Sequence, residues 1–104
     1  MTTMYHLTVK KVLIGMVVCA LGAPVYAKDI VATYQKTCGA CHDSGALGAP
    51  KKGDKATWDR LKAQKGMDAL VRATRQGMPQ MPAMGLCQSC SDKDFRELID
   101  HMSK

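Results

Sequence analysis

The sequence predicts a small all-α domain of about four short helices. Apolar residues recur at helical spacing in four windows, glycine and proline separate those windows, and no window has the alternating pattern of a β-strand. At 104 residues, the chain has room for one domain at most. We therefore expect helices packed around a single core, with no sheet.

Residues 1–27 have the features of a cleavable signal peptide. Two adjacent lysines precede an apolar run at residues 12–23, and a Val-Tyr-Ala sequence ends at Ala27. The run is much shorter than the roughly 20 residues of a spanning helix, so an uncleaved membrane anchor is the less favoured alternative. We predict cleavage after Ala27 and export of residues 28–104 to the bacterial periplasm, as one domain without a membrane span.

The four helical windows follow one another along residues 28–104. The first leads into a cysteine motif, and the last begins at Ser91, whose side chain forms a predicted capping box with Asp94. Residues 43–54 and 77–85 are predicted loops, because glycines interrupt the first and two prolines exclude a helix in the second. The residues that repeat at helical spacing are Ile30, Tyr34 and Cys38; Trp58 and Leu61; Met67, Leu70, Val71 and Thr74; and Phe95, Leu98, Ile99 and Met102.

The exported domain is too small to depend on its own core. Residues 28–104 comprise 77 residues and retain only three aromatic side chains, Tyr34, Trp58 and Phe95. Domains of this length bury little apolar surface and commonly need disulfides, a metal or a large cofactor. The cysteines indicate which of these to expect.

Four cysteines form two CxxC pairs, and only the first pair is followed by histidine. This first motif, Cys38-Gly-Ala-Cys41-His42, is the attachment signature of c-type haem. Two intervening residues let both thiols reach the vinyl groups at one edge of a porphyrin, and the histidine that follows lies next to the iron. We predict one covalently bound haem c, attached through Cys38 and Cys41, with its iron bound by His42.

Two alternative interpretations of the cysteines are less favoured. A Cys₄ zinc site would need both CxxC pairs, which are separated by 45 residues, and would leave His42 unexplained. A thioredoxin-like dithiol needs βαβ units that the sequence does not predict. With haem on the first pair, Cys87 and Cys90 are expected to form a disulfide in an oxidising compartment and to fix the turn before the last helix.

The iron has a second axial position, for which the chain offers several methionines and one histidine. Met67 and Met102 belong to the helical core pattern, and methionine fills cores more often than it binds metals. His101 lies in the last turn of the final helix, a position that suits a surface histidine. The loop at residues 77–85 can bring a thioether to the iron, and the residues alone leave three candidates open: Met78, Met81 and Met84.

Further motifs accompany CxxCH: Gly48-Ala-Pro50, Trp58-Asp-Arg60, Met81-Pro-Ala-Met-Gly85 and Cys87-Gln-Ser-Cys90. With them, the sequence resembles the short bacterial class I cytochromes c, in particular the cytochrome c-five group, over nearly all of residues 28–104. In that group the ligand methionine opens an MPxxG segment shortly before a CxxC disulfide. The resemblance implies Met81 as the second iron ligand, with Met78 as the runner-up, and a disulfide between Cys87 and Cys90.

The resemblance also implies the surroundings of the haem. The Pro50 carbonyl should accept a hydrogen bond from His42 Nδ1–H, and Trp58 and Arg60 should lie near the haem propionates. One departure is Met84, at a position where the group usually has lysine. The class I fold, in which a few short helices wrap around one haem, agrees with the helical windows.

Two protein ligands on the iron predict an electron carrier rather than an enzyme. A thioether favours Fe(II) and raises the reduction potential, and no axial position remains open to a substrate or a gas. A haem enzyme or gas sensor would need such an open position. We expect a monomeric one-electron shuttle of a respiratory chain that meets other redox proteins transiently, with a membrane complex as the donor and a terminal reductase or oxidase as the acceptor.

The charge of the chain suits an acidic partner. The formal net charge is +6 for the whole chain, and two of the lysines lie in the predicted signal peptide. Lys51, Lys52 and Lys55 form the densest basic cluster, which is either an ordinary solvated surface or a docking face for an acidic protein. Nucleic acid is not expected as a partner, because the chain is exported and its basic residues are not interleaved with aromatic ones.

Overall fold

The computed structural model describes Gly15 and residues 28–104. Apart from Gly15, the predicted signal peptide at residues 1–27 lies outside the described residues, and so does its cleavage site after Ala27. Among the described residues, no helix is both long enough and apolar enough to cross a bilayer.

Five α-helices and two short 3₁₀ turns make up residues 28–104. The helices are α1 (Ile30–Lys36), α2 (Gly39–His42), α3 (Lys55–Lys65), α4 (Met67–Gln76) and α5 (Asp92–Met102), and the 3₁₀ turns are Ala46–Gly48 and Ala83–Leu86. No strand occurs in this part of the chain, so the all-α prediction is confirmed. The helical pattern does not separate α2, a single turn that contains most of the CxxCH motif, from the helix before it.

Side-chain caps fix where three of the helices begin, and at α3 the Asp54 carboxylate accepts a hydrogen bond from the Thr57 N–H at 3.2 Å. Asp29 caps α1 by accepting a hydrogen bond from the Ala32 N–H at 3.1 Å. At α5 the predicted capping box is formed: Ser91 Oγ accepts from the Asp94 N–H at 3.2 Å, and an Asp94 carboxylate oxygen accepts from the Ser91 N–H at 2.9 Å. Such caps satisfy backbone N–H groups that have no partner within the helix.

Helix α5 supplies the centre of the core. It packs against α1 and α4, and α4 also packs against α3 and against the second 3₁₀ turn. Phe95 and Leu98 are each only 1% exposed, and burial of such side chains stabilises a fold by roughly 1.5–3 kcal/mol each. The buried apolar side chains are Tyr34, Cys38, Trp58, Val71, Cys87, Cys90, Phe95, Leu98, Ile99 and Met102. This core holds in place the two segments that carry the cofactor motifs.

Candidate haem-binding site

Two separate segments of the chain line one apolar cleft. Its volume, about 310 Å³, lies at the lower end of the range for small-molecule and cofactor sites. The lining residues are Thr37, Cys38, Cys41, His42 and 46–50 from the first segment, and 78–82, Gly85 and Leu86 from the second. The structure thus brings the CxxCH motif, Pro50 and two of the three loop methionines to a single site.

The single turn of α2 explains the spacing of the two cysteines in the CxxCH motif. The His42 N–H donates to the Cys38 carbonyl at 2.9 Å, so this stretch is helical and residues three apart share one face. Both cysteines have free thiols, with Cys38 buried and Cys41 partly exposed. Burial raises the pKa of the Cys38 thiol, although the Thr37 hydroxyl, 3.5 Å from the Cys38 sulfur, acts in the opposite direction. The turn therefore presents the two thiols to the cleft together.

His42 is held at both its ring and its backbone. The residue is 7% exposed, and its Nδ1 lies 2.6 Å from the Pro50 carbonyl oxygen. Since a carbonyl can only accept a hydrogen bond, Nδ1 carries the proton, and the lone pair of Nε2 is left for a metal. The His42 carbonyl in turn accepts from the Lys52 N–H at 2.8 Å. The structure thus contains the contact between His42 and Pro50 that the family resemblance implies.

Trp58 supports His42 without lining the cleft. It is 4% exposed, its ring centroid is 5.7 Å from that of His42, and its indole N–H donates to the Lys51 carbonyl at 2.9 Å. It therefore ties α3 to the loop that carries Pro50. The only sequence signal for this role is that a buried tryptophan needs an acceptor for its N–H. Arg60 is exposed and also does not line the cleft, and the placement of Trp58 and Arg60 near haem propionates stays a prediction.

A tight hairpin carries Met78 and Met81. The Met78 N–H donates to the Met81 carbonyl at 2.9 Å, and the Met81 N–H donates to the Met78 carbonyl at 3.0 Å. Gly77 permits this turn, since its φ is +82° and a Cβ there would lie 2.8 Å from the backbone nitrogen of Ala83. Met78 is 49% exposed, whereas Met81 is partly buried. Burial distinguishes the two methionines, and it favours Met81 as the one whose thioether is held by the protein.

The remaining ligand candidates lie away from the cleft. Four of them do not line it: Met67, Met84, Met102 and His101. Met67 and Met84 pack against the core, and Met102 belongs to it. His101 packs edge-on against Tyr34 with ring centroids 5.1 Å apart. Burial lowers the pKa of His101, and the charges of nearby lysines act in the same direction.

The second CxxC pair is separate from the cleft. Cys87 and Cys90 form a disulfide with a Cα–Cα distance of 5.4 Å, and both are buried in the core. The pair directly precedes the capping box of α5, where the sequence predicts a fixed turn. Because these two sulfurs bond to each other, they are not available for the alternative Cys₄ zinc site.

The fold and the site together define a class of protein. An all-α domain carries CxxCH on a single helical turn, a histidine with a free Nε2 and a methionine hairpin, and all three line one apolar cleft. This is the arrangement of a class I c-type cytochrome. Two thiols, an imidazole and a thioether are the groups that covalent haem and its iron require, so the residues fit the cofactor.

Comparison with known proteins agrees with this class. A family model described as cytochrome C oxidase, cbb3-type, subunit III matches residues 26–102. Cytochrome c5 of Ectopseudomonas mendocina is 46% identical over 78 residues, which are 74% of this chain and 86% of that protein. The chain belongs to the family of small class I cytochromes c.

Two solved structures agree with this membership. A mono-haem ferrocytochrome c from Shewanella putrefaciens has a TM-score of 0.66 and 38% identity, and the match covers 75% of this chain and 95% of that one. A chain of the crystal structure of an electron transfer complex of nitrite reductase with cytochrome c has a TM-score of 0.61 and 34% identity, covering 70% of this chain and 88% of that one. Membership of the family confirms the predicted fold and the predicted cofactor, one covalently bound haem c with its iron.

Proposed function

We propose that the chain is a periplasmic one-electron carrier, with haem attached to the two CxxCH cysteines and bound at its iron by His42 and Met81. The observation that carries the proposal is that one cleft gathers both thiols, an imidazole fixed by Pro50 and a thioether. When bound, the haem supplies an iron that alternates between Fe(III) and Fe(II).

Two axial ligands from the protein favour electron transfer over catalysis. With His42 and Met81 on the iron, no axial position would be left for a substrate or a gas. The hydrogen bond from Nδ1–H to Pro50 fixes the orientation of the imidazole and raises its basicity. The thioether favours Fe(II), so the reduction potential should be higher than with two imidazole ligands. We therefore infer a carrier, not an enzyme.

The location and the partners follow from export and from the requirements of a shuttle. The pattern of residues 1–27 supports export to the periplasm, after which Lys28 would be the first residue. We infer a membrane complex of the respiratory chain as the donor and a terminal reductase or oxidase as the acceptor. The similarity to a chain in the nitrite reductase complex supports a reductase. A carrier must dissociate readily, so we expect a monomer with transient interfaces that bury less than about 1,200 Å².

Lys51 and Lys52 are the best candidates for attracting an acidic partner. Both are exposed and directly follow Pro50 in the chain, and the Lys52 ammonium lies over the ring of Tyr34, 5.8 Å from its centroid, beside the cleft lining and not in it. Lys55, the third lysine of the cluster, forms an ion pair with Asp59 one turn further along α3, so it contributes less free charge to this face. Such charges raise the rate of encounter more than the lifetime of the complex.

Separate replacement of the two hairpin methionines tests the ligand assignment. Met81→Ala should remove the methionine-to-iron charge-transfer band of the oxidised protein and should open the reduced iron to carbon monoxide. Met78→Ala is the matched control on the same hairpin, and it should keep the band because Met78 is the more exposed of the two. Loss of the band in Met78→Ala, with retention in Met81→Ala, would reverse the assignment.

The electron-carrier proposal itself is tested on the unaltered protein. Protein recovered from the periplasmic fraction should have the spectrum of low-spin c-type haem, and acid-acetone should not extract that haem. Reduced protein should not bind carbon monoxide. Extractable haem would contradict covalent attachment, and carbon monoxide binding would favour a haem enzyme or a gas sensor.

A further inference from the structure

The backbone shortly after Met81 is held in an unusual conformation. Met84, Gly85 and Leu86 have φ angles of +66°, +55° and +65°, so three consecutive residues lie in the left-handed region. This conformation is unfavourable for Met84 and Leu86, because each has a Cβ that approaches a neighbouring carbonyl. Residues in such conformations persist only where the surrounding structure fixes them.

Hydrogen bonds and a covalent link fix this left-handed segment at both ends. The Gly85 N–H donates to the Pro82 carbonyl at 3.0 Å, and the Cys87 N–H donates to the Met84 carbonyl at 2.9 Å. Cys87 is in turn joined to Cys90 by the disulfide directly before α5. Met84 packs against the core, and the 3₁₀ turn that contains the segment packs against α4. The segment therefore cannot relax without breaking several of these contacts.

The position of this segment matters for the side chain of Met81. A Cβ at Gly85 would lie 3.1 Å from Cε of Met81 and 3.7 Å from Cγ2 of Thr74. The Met81 methyl group thus packs beside the backbone of Gly85, in space that any other residue would partly fill. Thr74 is itself fixed, since it is 9% exposed and its hydroxyl donates to the Leu70 carbonyl at 2.9 Å. Gly85 is buried and lines the same cleft as Met81.

We propose that Gly85 is a positioning residue for the Met81 thioether. The left-handed segment, held by the disulfide, forms the surface against which the Met81 methyl group rests, and it thereby limits where the sulfur can lie in the cleft. This inference rests on the proposed function, because it takes Met81 as the iron ligand.

Substitution at Gly85 tests this role, with a control at Gly66, a glycine of positive φ that does not line the cleft. Gly85→Ala adds a Cβ that must displace the Met81 methyl group by a few tenths of an ångström. Gly66→Ala adds a Cβ at a φ of +81°, between α3 and α4, where nothing lies within 4 Å. Both variants should lose stability to denaturant, because alanine is strained at positive φ, and Gly66→Ala should lose more because its ψ of +154° places it in a region that essentially only glycine adopts, whereas Gly85 has a ψ of +38°. Only Gly85→Ala should weaken the methionine-to-iron band and lower the reduction potential.

A second variant separates the methyl contact from the backbone conformation. Gly85→Asn also adds a Cβ, but asparagine tolerates a positive φ better than alanine does. Both Gly85 variants should weaken the band. A normal band and a normal reduction potential in Gly85→Asn would overturn the proposal. It would also be overturned if Gly66→Ala changed the band and the potential as much as the Gly85 variants do, or if neither Gly85 variant yielded holoprotein while Gly66→Ala did. Absence of the band in the unaltered protein would instead contradict Met81 as a ligand, and with it the proposed function.

Discussion

Removal of the Cys87–Cys90 disulfide should lower stability without releasing the haem. The double variant Cys87→Ala/Cys90→Ala keeps the site apolar and leaves no free thiol there. The two residues are three apart in sequence, and the chain-entropy relation for so short a loop gives a loss of about 2 kcal/mol in the free energy of unfolding. Both side chains are at most 5% exposed, so the voids left by two buried sulfurs add roughly 1–2 kcal/mol.

Guanidinium unfolding of the haem-loaded protein, followed by far-UV circular dichroism, measures this loss. The companion measurement is reduction of the unaltered protein with a dithiol reagent, which removes the cross-link but leaves the sulfur atoms in place. Reduction should therefore give only the loop-entropy part, about 2 kcal/mol. The double variant should not respond to the reagent, and the iron must be kept in one oxidation state throughout.

The haem should stay attached because the two CxxC pairs have different surroundings. Cys38 and Cys41 are free thiols that line the cleft, whereas Cys87 and Cys90 are bonded to each other and do not line it. Loss of covalent haem from the double variant would refute this division of the cysteines. A stability change within about 0.5 kcal/mol, the range of ordinary surface substitutions, would refute the argument that the cross-link constrains the chain.

Acid, salt and export offer further tests. The hydrogen bond from the Ser91 N–H, with a smaller contribution from Lys28, holds the pKa of the Asp94 carboxyl below its ordinary value. The ionised Asp94 carboxylate therefore stabilises the fold above about pH 3.9, and this contribution is lost as the pH falls through the folded pKa. In Asp94→Asn, the free energy of unfolding should therefore decrease less as the pH is lowered through this range. Changing Lys51 and Lys52 to glutamate should slow electron transfer to an acidic partner at low salt and leave the reduction potential nearly unchanged, and salt should shrink the difference because exposed charges are screened within about 10 Å at 0.1 M. Equal rates at low salt would identify this face as an ordinary solvated surface. Mass spectrometry of the exported protein should find Lys28 as the first residue and the added mass of one haem, and a retained leader would contradict the cleavage prediction.

The helices are predictable from the sequence because they depend on residues three and four apart. The last helix shows this most clearly, since both its capping box at Ser91 and Asp94 and its buried stripe are present. The spacing of apolar residues does not distinguish α2 from α1, because α2 is a single turn with too few residues to show a helical period. The CxxCH motif compensates for this, since its spacing alone indicates that two thiols lie on one face.

The details of the site depend on contacts that no local pattern contains. Met78 and Met81 both precede a proline in the same loop, and the residues alone do not choose between them. The structure distinguishes them through burial and through the packing of Met81 beside Gly85. Similarly, the role of Trp58 depends on the Lys51 carbonyl and on the ring of His42, which the fold alone brings close.

The left-handed segment gives the disulfide a role that its loop length does not explain. A cross-link between residues three apart closes a very short loop and is worth about 2 kcal/mol. Left-handed φ angles at Met84 and Leu86 cost roughly 1–2 kcal/mol each, so the two effects are similar in size and act on adjacent residues. We expect the disulfide also to fix Cys87, whose N–H donates to the Met84 carbonyl, and so to help hold the conformation on which Met81 rests. The Cys87→Ala/Cys90→Ala variant, with its iron as Fe(III), should then also show a weaker methionine-to-iron band while it is still folded. A variant that is less stable but has an unchanged band would show instead that the core and α4 are sufficient to hold the segment.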